Sequence, residues 1–285
     1  MSQNLKKIIF VGVSLTILGL SLQASVSLKP YEVFRIPHME LSITNSMVTS
    51  WVISLLLIFL IRWAIGKPQL IPNKGQLVVE NLIENFQSAI GPIVGEKMIK
   101  PTMPLLLGFF VFILIQNWSG LIPGVAAFGH IDKEGHFIYY FRPGNADLNM
   151  TLALAIVSFI AWGYFILRYA GLKALVYDLF GNKSSRNEVS LFLYYFLFLV
   201  FFGVGLIECI SIAFRLISLS FRLFGNVFGG ENLIASIQGI FGYLLPVPFY
   251  FLEALIGFIQ AFVFTLLVAI YIGLICNHEA GESHT

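Results

Sequence analysis

The chain has 285 residues, 58% hydrophobic and 11% charged, with a mean hydropathy of +0.85; a soluble domain carries about 25% charged residues, so water is not its main solvent. A formal net charge of +2, without clustered Lys and Arg, excludes nucleic acid or a broad acidic surface as partner. Cys209 and Cys276 lie in separate apolar runs and read as buried, inert thiols rather than a disulfide or metal framework.

At the N-terminus, Lys6 and Lys7 precede an apolar run from Ile8 to Leu22, followed by Ala24 and Ser25. That is the layout of a secretory signal peptide, too short for a hydrocarbon core that needs about 20 residues. Residues 1–24 are expected to be removed by cleavage after Ala24, leaving 25–44 outside the membrane; retention as an extra helix is the alternative. Three runs of spanning length follow: Met47 to Ile65, Met103 to Ile122 and Leu148 to Tyr169. Between the first two, Val79, Leu82, Ile83, Phe86, Ile90 and Ile93 repeat at helical spacing against Glu80, Asn81, Glu84, Asn85 and Gln87, which predicts an interfacial amphipathic helix.

Val189 to Phe228 is a run of forty residues without proline, about 60 Å if helical, and is either two spans or one strongly tilted helix. Leu233 to Cys276 is similar, but Pro246 and Pro248 must break or bend it. The fold class is therefore an all-α polytopic membrane protein. It has five membrane helices after cleavage, or six without it, in a channel domain over residues 45–278 with a tail at 279–285. Arg62, Lys67, Lys74, Lys97 and Lys100 flank one connection, and Arg168, Lys173, Lys183 and Arg186 another, which places both in the cytoplasm. The loop from Pro123 to Asp147, with only Lys133 and Arg142 as basic residues, then lies outside, and the C-terminus ends in the cytoplasm.

Polar chemistry concentrates in the last two segments. Glu208, Arg215 and Arg222 recur every seven residues, with Ser211 and Ser218 three residues after the first two. Steps of seven return within about 20° of one direction, so the five line one stripe, which Asn226 extends. A charge at the bilayer centre costs about 2.5–3.5 kcal/mol, so such a stripe faces a cavity or a partner rather than lipid. The plain alternative is a salt bridge that pins the bundle, Glu208 with Arg215 or Arg222 with a carboxylate of the last helix. In the last segment Glu253, Gln260 and Tyr271 share a face, Gly257 leaves room for a side chain from elsewhere, and Glu231 follows Gly229 and Gly230. Carboxylates, an amide and an arginine in hydrocarbon suit a proton relay, because a carboxyl group held out of water can both accept and release a proton near neutrality.

These residues carry a resemblance. Ser220-Phe221-Arg222-Leu223-Phe224-Gly225-Asn226 with Gly230-Glu231 is similar to the signature of subunit a of the F-type ATP synthase. Gln260 through Leu267 with Tyr271-Ile272 resembles that family's last helix. Asn117-Trp118-Ser119-Gly120-Leu121-Ile122-Pro123 and Ala146-Asp147-Leu148-Asn149 resemble its middle region. The likeness runs in order from about residue 40 to 278. It implies that the position of Arg222 faces the carboxylate of each passing c subunit, with Gln260 beside it. It further implies an outer half-channel at Asn226, Glu231 and Glu253 and a cytoplasmic half-channel at Glu208 and Ser211. Arg215, Ser218, Tyr271 and Asp147 are supporting candidates. The resemblance also implies two long tilted helices beside the ring, and as partners the c-ring, b-type peripheral stalk subunits, the soluble ATP synthase sector and the lipid of a bacterial inner membrane. Many relatives pair a carboxylate with a histidine where this chain has Glu231 and Glu253, and all five histidines here lie outside the membrane segments.

Other classes are weaker. No glycine loop with a following Lys cradles a phosphate, so nucleotide chemistry belongs to partners and no cofactor or metal is expected. An intramembrane aspartyl protease could start from Tyr177-Asp178, but Gly203-Val204-Gly205 is followed by Leu206 and offers no second acid. His130, Asp132, Glu134 and His136, or His278, Glu279, Glu282 and His284, could hold a metal but lie in polar stretches without a rigid scaffold. A uniporter or scaffold is the remaining alternative, and co-purification with a ring of small two-helix subunits separates it from the channel subunit. The coupling ion, H⁺ or Na⁺, is set by groups on the rotor, which is another chain.

Overall fold

The computed structural model describes residues 32–35, 42–122, 129–131, 137–172, 176, 191–241 and 245–282. The signal-like segment, Asp178, Asp132 to His136 and His284 lie outside them. Six helices dominate: α1 (Asn45–Ile65), α2 (Lys74–Val94), α3 (Glu96–Ser119), α4 (Leu148–Phe165), α5 (Leu191–Phe241) and α6 (Pro246–Glu282). Two short antiparallel pairs, β1 (Glu32–Arg35) with β2 (Ser42–Thr44) and β3 (Gly129–Ile131) with β4 (Phe137–Tyr139), occupy segments that the sequence left without structure. Five helices, all but α2, are long and apolar enough to cross a membrane, as the hydropathy pattern predicts.

Boundaries differ from expectation where the helix continues beyond the apolar run. α3 begins at Glu96, seven residues early, with Pro101 and Pro104 inside it. A proline close to a helix start removes few hydrogen bonds, and Thr102 Oγ1 donates to Met98 O at 2.7 Å in the same turns. α5 is a single helix of 51 residues, about 76 Å long. It runs through Gly229 and Gly230, so Glu231 and the stretch to Phe241 belong to it and not to the last helix. A rod of that length crosses a core of about 30 Å only obliquely or with its ends outside. α6 starts at Pro246, where the missing N–H would have had no helical partner.

The chain divides into two compact units. One comprises Met1–Leu60, Val111–Thr151 and Arg222–Ala261. In it a polar seam holds the segment before α4 against the end of α3. Gln116 Oε1 accepts from Gly144 N at 3.1 Å, and Asn117 Oδ1 accepts from Asn145 Nδ2 at 2.7 Å. Asn117 Nδ2 and Trp118 Nε1 in turn donate to Gly257 O and Ala254 O of α6, at 2.9 and 3.0 Å. Gly257 admits this approach, since a Cβ there would lie 3.1 Å from the Asn117 Cβ. Asn117 is therefore the side chain for which the sequence reserved space.

The other unit comprises Ile61–Phe110, Leu152–Phe221 and Phe262–Thr285. Here α2 opens on Asn73, whose Oδ1 accepts from Gln76 N at 2.7 Å. Phe86 and Ile90 of its apolar stripe are buried, as is Val94 beside the stripe, with Phe86 against Phe110. Part of the amphipathic face thus covers protein, while Leu77, Val78 and Leu82 stay exposed. Phe109 and Phe264 meet edge to face, a favoured aromatic geometry.

Candidate functional site

In the unit that contains Arg222–Ala261, α5 and α6 bring together most of the residues singled out for an outer path. Asn226 Nδ2 donates to Gln260 Oε1 at 2.8 Å. Gln260 is buried, and its Nε2 has no partner among the described residues. Glu253 lies with its carboxyl group directly over Gly230, where an added Cβ would collide with it. A cavity of about 50 Å³ is lined by Asn117, Glu231, Gln238, Tyr250 and Glu253 among others, room for a few waters. Both glutamates that replace the expected carboxylate and histidine pair therefore open on one cavity, whose lining is otherwise largely apolar.

One member of this cluster was missed. Arg142, counted in the sequence only as a loop charge, is buried with 3% of its side chain exposed. Its Nε lies 3.6 Å from Glu231 Oε2 and its guanidinium 5.7 Å from the centre of the Phe228 ring. The separation exceeds a hydrogen bond, and Arg142 Nε, Arg142 Nη2 and Glu231 Oε2 have no hydrogen-bond partner among the described residues. The contact is an ion pair held by charge alone. No periodicity marks Arg142, since its burial follows from the turn at Gly144–Ala146 packing on α3; its place five residues before Asp147 was the one available signal.

Asp147 stands apart from the carboxylates. It caps α4 by accepting from Asn149 N at 3.0 Å and from Ser46 Oγ of α1 at 2.7 Å. Arg222 is exposed on α5, and among the described residues no carboxylate pairs with it and no hydrogen bond reaches its side chain.

In the second unit, Arg215 Nη2 donates to Glu208 Oε1 at 3.0 Å, with the two side chains 34% and 44% exposed. The same guanidinium sits 4.5 Å from the centre of the Tyr271 ring, and Tyr271 O accepts from Trp162 Nε1 at 3.2 Å. Arg215 thus makes the salt bridge to Glu208 that the sequence offered, but both residues lie on α5, so the pair itself pins no two helices together. A cavity of about 40 Å³ lies beside Arg215, Tyr271, Trp162 and Ser158. Ser211 is half-buried, whereas Ser218 is exposed, as is Cys209, which had been expected inside. The stripe is not uniformly covered, because a straight helix drifts about 20° per seven residues and α5 buries only 6% of its most apolar stretch. The side chain of Cys276 and those of His278 to Glu282 lie outside the described residues, among which no cluster of three or more metal-ligating side chains occurs.

A family model described as ATP synthase A chain matches residues 47–273. The chain belongs to this family. It is 32% identical to ATP synthase subunit a of Moorella thermoacetica over 244 residues, which covers 86% of this chain and 95% of that one. It is 34% identical to ATP synthase subunit a of Gloeobacter violaceus over 240 residues, 84% and 85% of the two chains. With ATP synthase subunit a 2 of a Bradyrhizobium species it shares 28% over 232 residues, 81% and 88% of the two. The chain is thus a multi-pass membrane protein of the ATP synthase membrane sector, and it acts in ion transport and ATP synthesis in complex with other subunits.

Proposed function

We propose that this subunit a is the stationary channel of a bacterial ATP synthase, with two offset half-channels that carry protons to and from a rotating c-ring and couple their flow to ATP synthesis. Asn226, Glu231, Glu253 and Gln260 form the outer half-channel, and Glu208 and Ser211 the cytoplasmic one. Arg222 is the gate. The partners are the c-ring, b-type stalk subunits and the soluble sector, in an inner membrane with the processed N-terminus outside and the C-terminus in the cytoplasm.

The observation that carries this reading is the exposure of Arg222. A fixed charge in hydrocarbon needs a counter-charge. Arg142 and Arg215 have theirs within the chain, in Glu231 and Glu208. Among the described residues Arg222 has none, so its partner carboxylate is expected on another subunit. A guanidinium stays protonated at ordinary pH, so it attracts a passing carboxylate without relaying the proton. The proton then rides the ring from one half-channel to the other, and each charge that crosses releases about 2.3 kcal/mol per 100 mV.

The test compares Arg222→Lys with Arg222→Ala by passive proton flux and ATP synthesis, each normalised to assembled subunit. Lys replaces the delocalised fork with a compact ammonium and should abolish coupled transport although the complex assembles. Ala should let protons leak between half-channels without ATP turnover. A Lys variant that assembles and makes ATP near the parent's rate overturns the assignment.

A further inference from the structure

Beside the outer cavity, against Glu231 of its lining, lies one charge that the ion path does not use. The cavity's titratable and charged neighbours among the described residues are Arg142 from the segment before α4, Glu231 from α5, and Glu253 and Tyr250 from α6. Asn117 of α3 and Gln238 of α5 are neutral, and Gln238 Nε2 donates to the Tyr250 hydroxyl at 2.9 Å. Two carboxyl groups on one small cavity resist ionising together, and the number of protons they hold depends on the charge beside them. Arg142 changes that count. Its charge is permanent, buried and 3.6 Å from Glu231, yet two of its nitrogens make no hydrogen bond among the described residues, so it is not fastened there as a structural clasp would be.

We propose that Arg142 is a positioning residue for the outer inlet, whose fixed positive charge beside Glu231 limits the Glu231 and Glu253 pair to one exchangeable proton. With Arg142 present, the cavity is neutral when the pair holds one proton and singly negative when that proton leaves. Without Arg142, neutrality requires two protons, and the inlet gives up a proton only in more alkaline medium. The inference rests on the reading of Glu231 and Glu253 as outer-path residues.

The experiment measures ATP-driven proton pumping by the whole enzyme in inverted membrane vesicles, from about pH 6 to 9, per assembled subunit. Arg142→Gln should move the pH of half-maximal pumping up by about one unit or more, the effect of removing a close opposite charge. Arg142→Lys should leave it in place, because a contact held by charge without hydrogen bonds needs only a point charge. Glu231→Gln should move it down, and the double variant Arg142→Gln with Glu231→Gln should return it to the parent's position, since the remaining Glu253 then cycles through the same net charges.

An Arg142→Gln enzyme that assembles with an unmoved profile overturns the proposal. If Arg142→Gln does not assemble, the double variant decides. Assembly with the parental midpoint supports charge pairing, and failure to assemble makes Arg142 a structural pin and overturns it. Parental pumping in both Glu231→Gln and Glu253→Gln sinks the outer-path reading itself, whatever Arg142 does.

Discussion

Replacing Gly230 by Ala puts a methyl group where the Glu253 carboxyl group now lies. The obstructing atoms are the far end of a flexible side chain, so the carboxyl group can retreat and the backbone need not. Overpacking a filled site costs about 1–3 kcal/mol, and the cost falls at the low end when a side chain can swing away. Against it stands a gain of up to about 1 kcal/mol from replacing a helical glycine with alanine. The net change in stability is near zero, and the assembled amount of subunit should match the parent. Function should respond differently. Relief of the collision moves the carboxyl group by roughly 1 Å, enough to break proton transfer over a contact of roughly 2.6–3.2 Å. A misplacement of this order costs up to about 100-fold in a geometry-dependent step, so pumping should fall at least about tenfold. The assay is ATP-driven pumping in membrane vesicles with subunit abundance measured on the same membranes. Gly108→Ala is the control, because a Cβ there meets nothing within 4 Å. Parental pumping by Gly230→Ala at normal abundance would refute the claim that the Glu253 position over Gly230 matters for transport.

Asp147→Ala should cost about 1–2 kcal/mol through the lost helix cap and the lost hydrogen bond from Ser46, which keeps its contact with Thr44 Oγ1, lowering subunit abundance while the pH profile per assembled subunit stays parental; a shifted profile would return Asp147 to the ion path. Arg215→Gln and Tyr271→Leu should be non-additive in thermal denaturation of the solubilised complex, with a coupling of about 0.5–1 kcal/mol from the guanidinium over the ring, and strict additivity would show that the contact contributes nothing.

What could be read from the sequence depended on the length scale of the signal. Spans were legible because roughly 20 apolar residues have no other use in a chain this apolar. The pairing of Glu208 with Arg215 was legible as well, since seven residues along one helix fix their relation without knowledge of any neighbour. The continuation of α5 past Gly230 was not. The apolar run ends at Phe228, before two glycines, yet inside hydrocarbon a helix that stops leaves backbone groups unsatisfied, and this term outweighs glycine's weak propensity. Arg142 was illegible for another reason. A loop charge is normally assigned to solvent, and only the packing of Gly144 and Asn145 on Gln116 and Asn117 draws it inward. Likewise the approach of Arg215 to Tyr271 joins two helices, and no spacing within one segment contains it.

The polar groups along the proposed outer path differ in kind, and their order has a mechanical consequence. From Glu231 to Arg222 is nine residues of α5, about 13 Å of rise, and from Glu253 to Gln260 is seven residues of α6, about 10 Å. The hydrogen-bonded pair Asn226 and Gln260 lies toward the Arg222 end of both stretches. Amides donate and accept but do not take up a proton at ordinary pH, so on the proposed path a proton released by the carboxylates would cross this gap on water that the amides orient. Gln260 Nε2, buried and without a partner among the described residues, is a donor still available for that purpose. On the proposed path the carboxylates would set how often a proton is offered, and the amides how readily it is handed on. A change at Glu231 or Glu253 should move the pH dependence of transport, whereas a change at Asn226 or Gln260 should scale its rate at every pH.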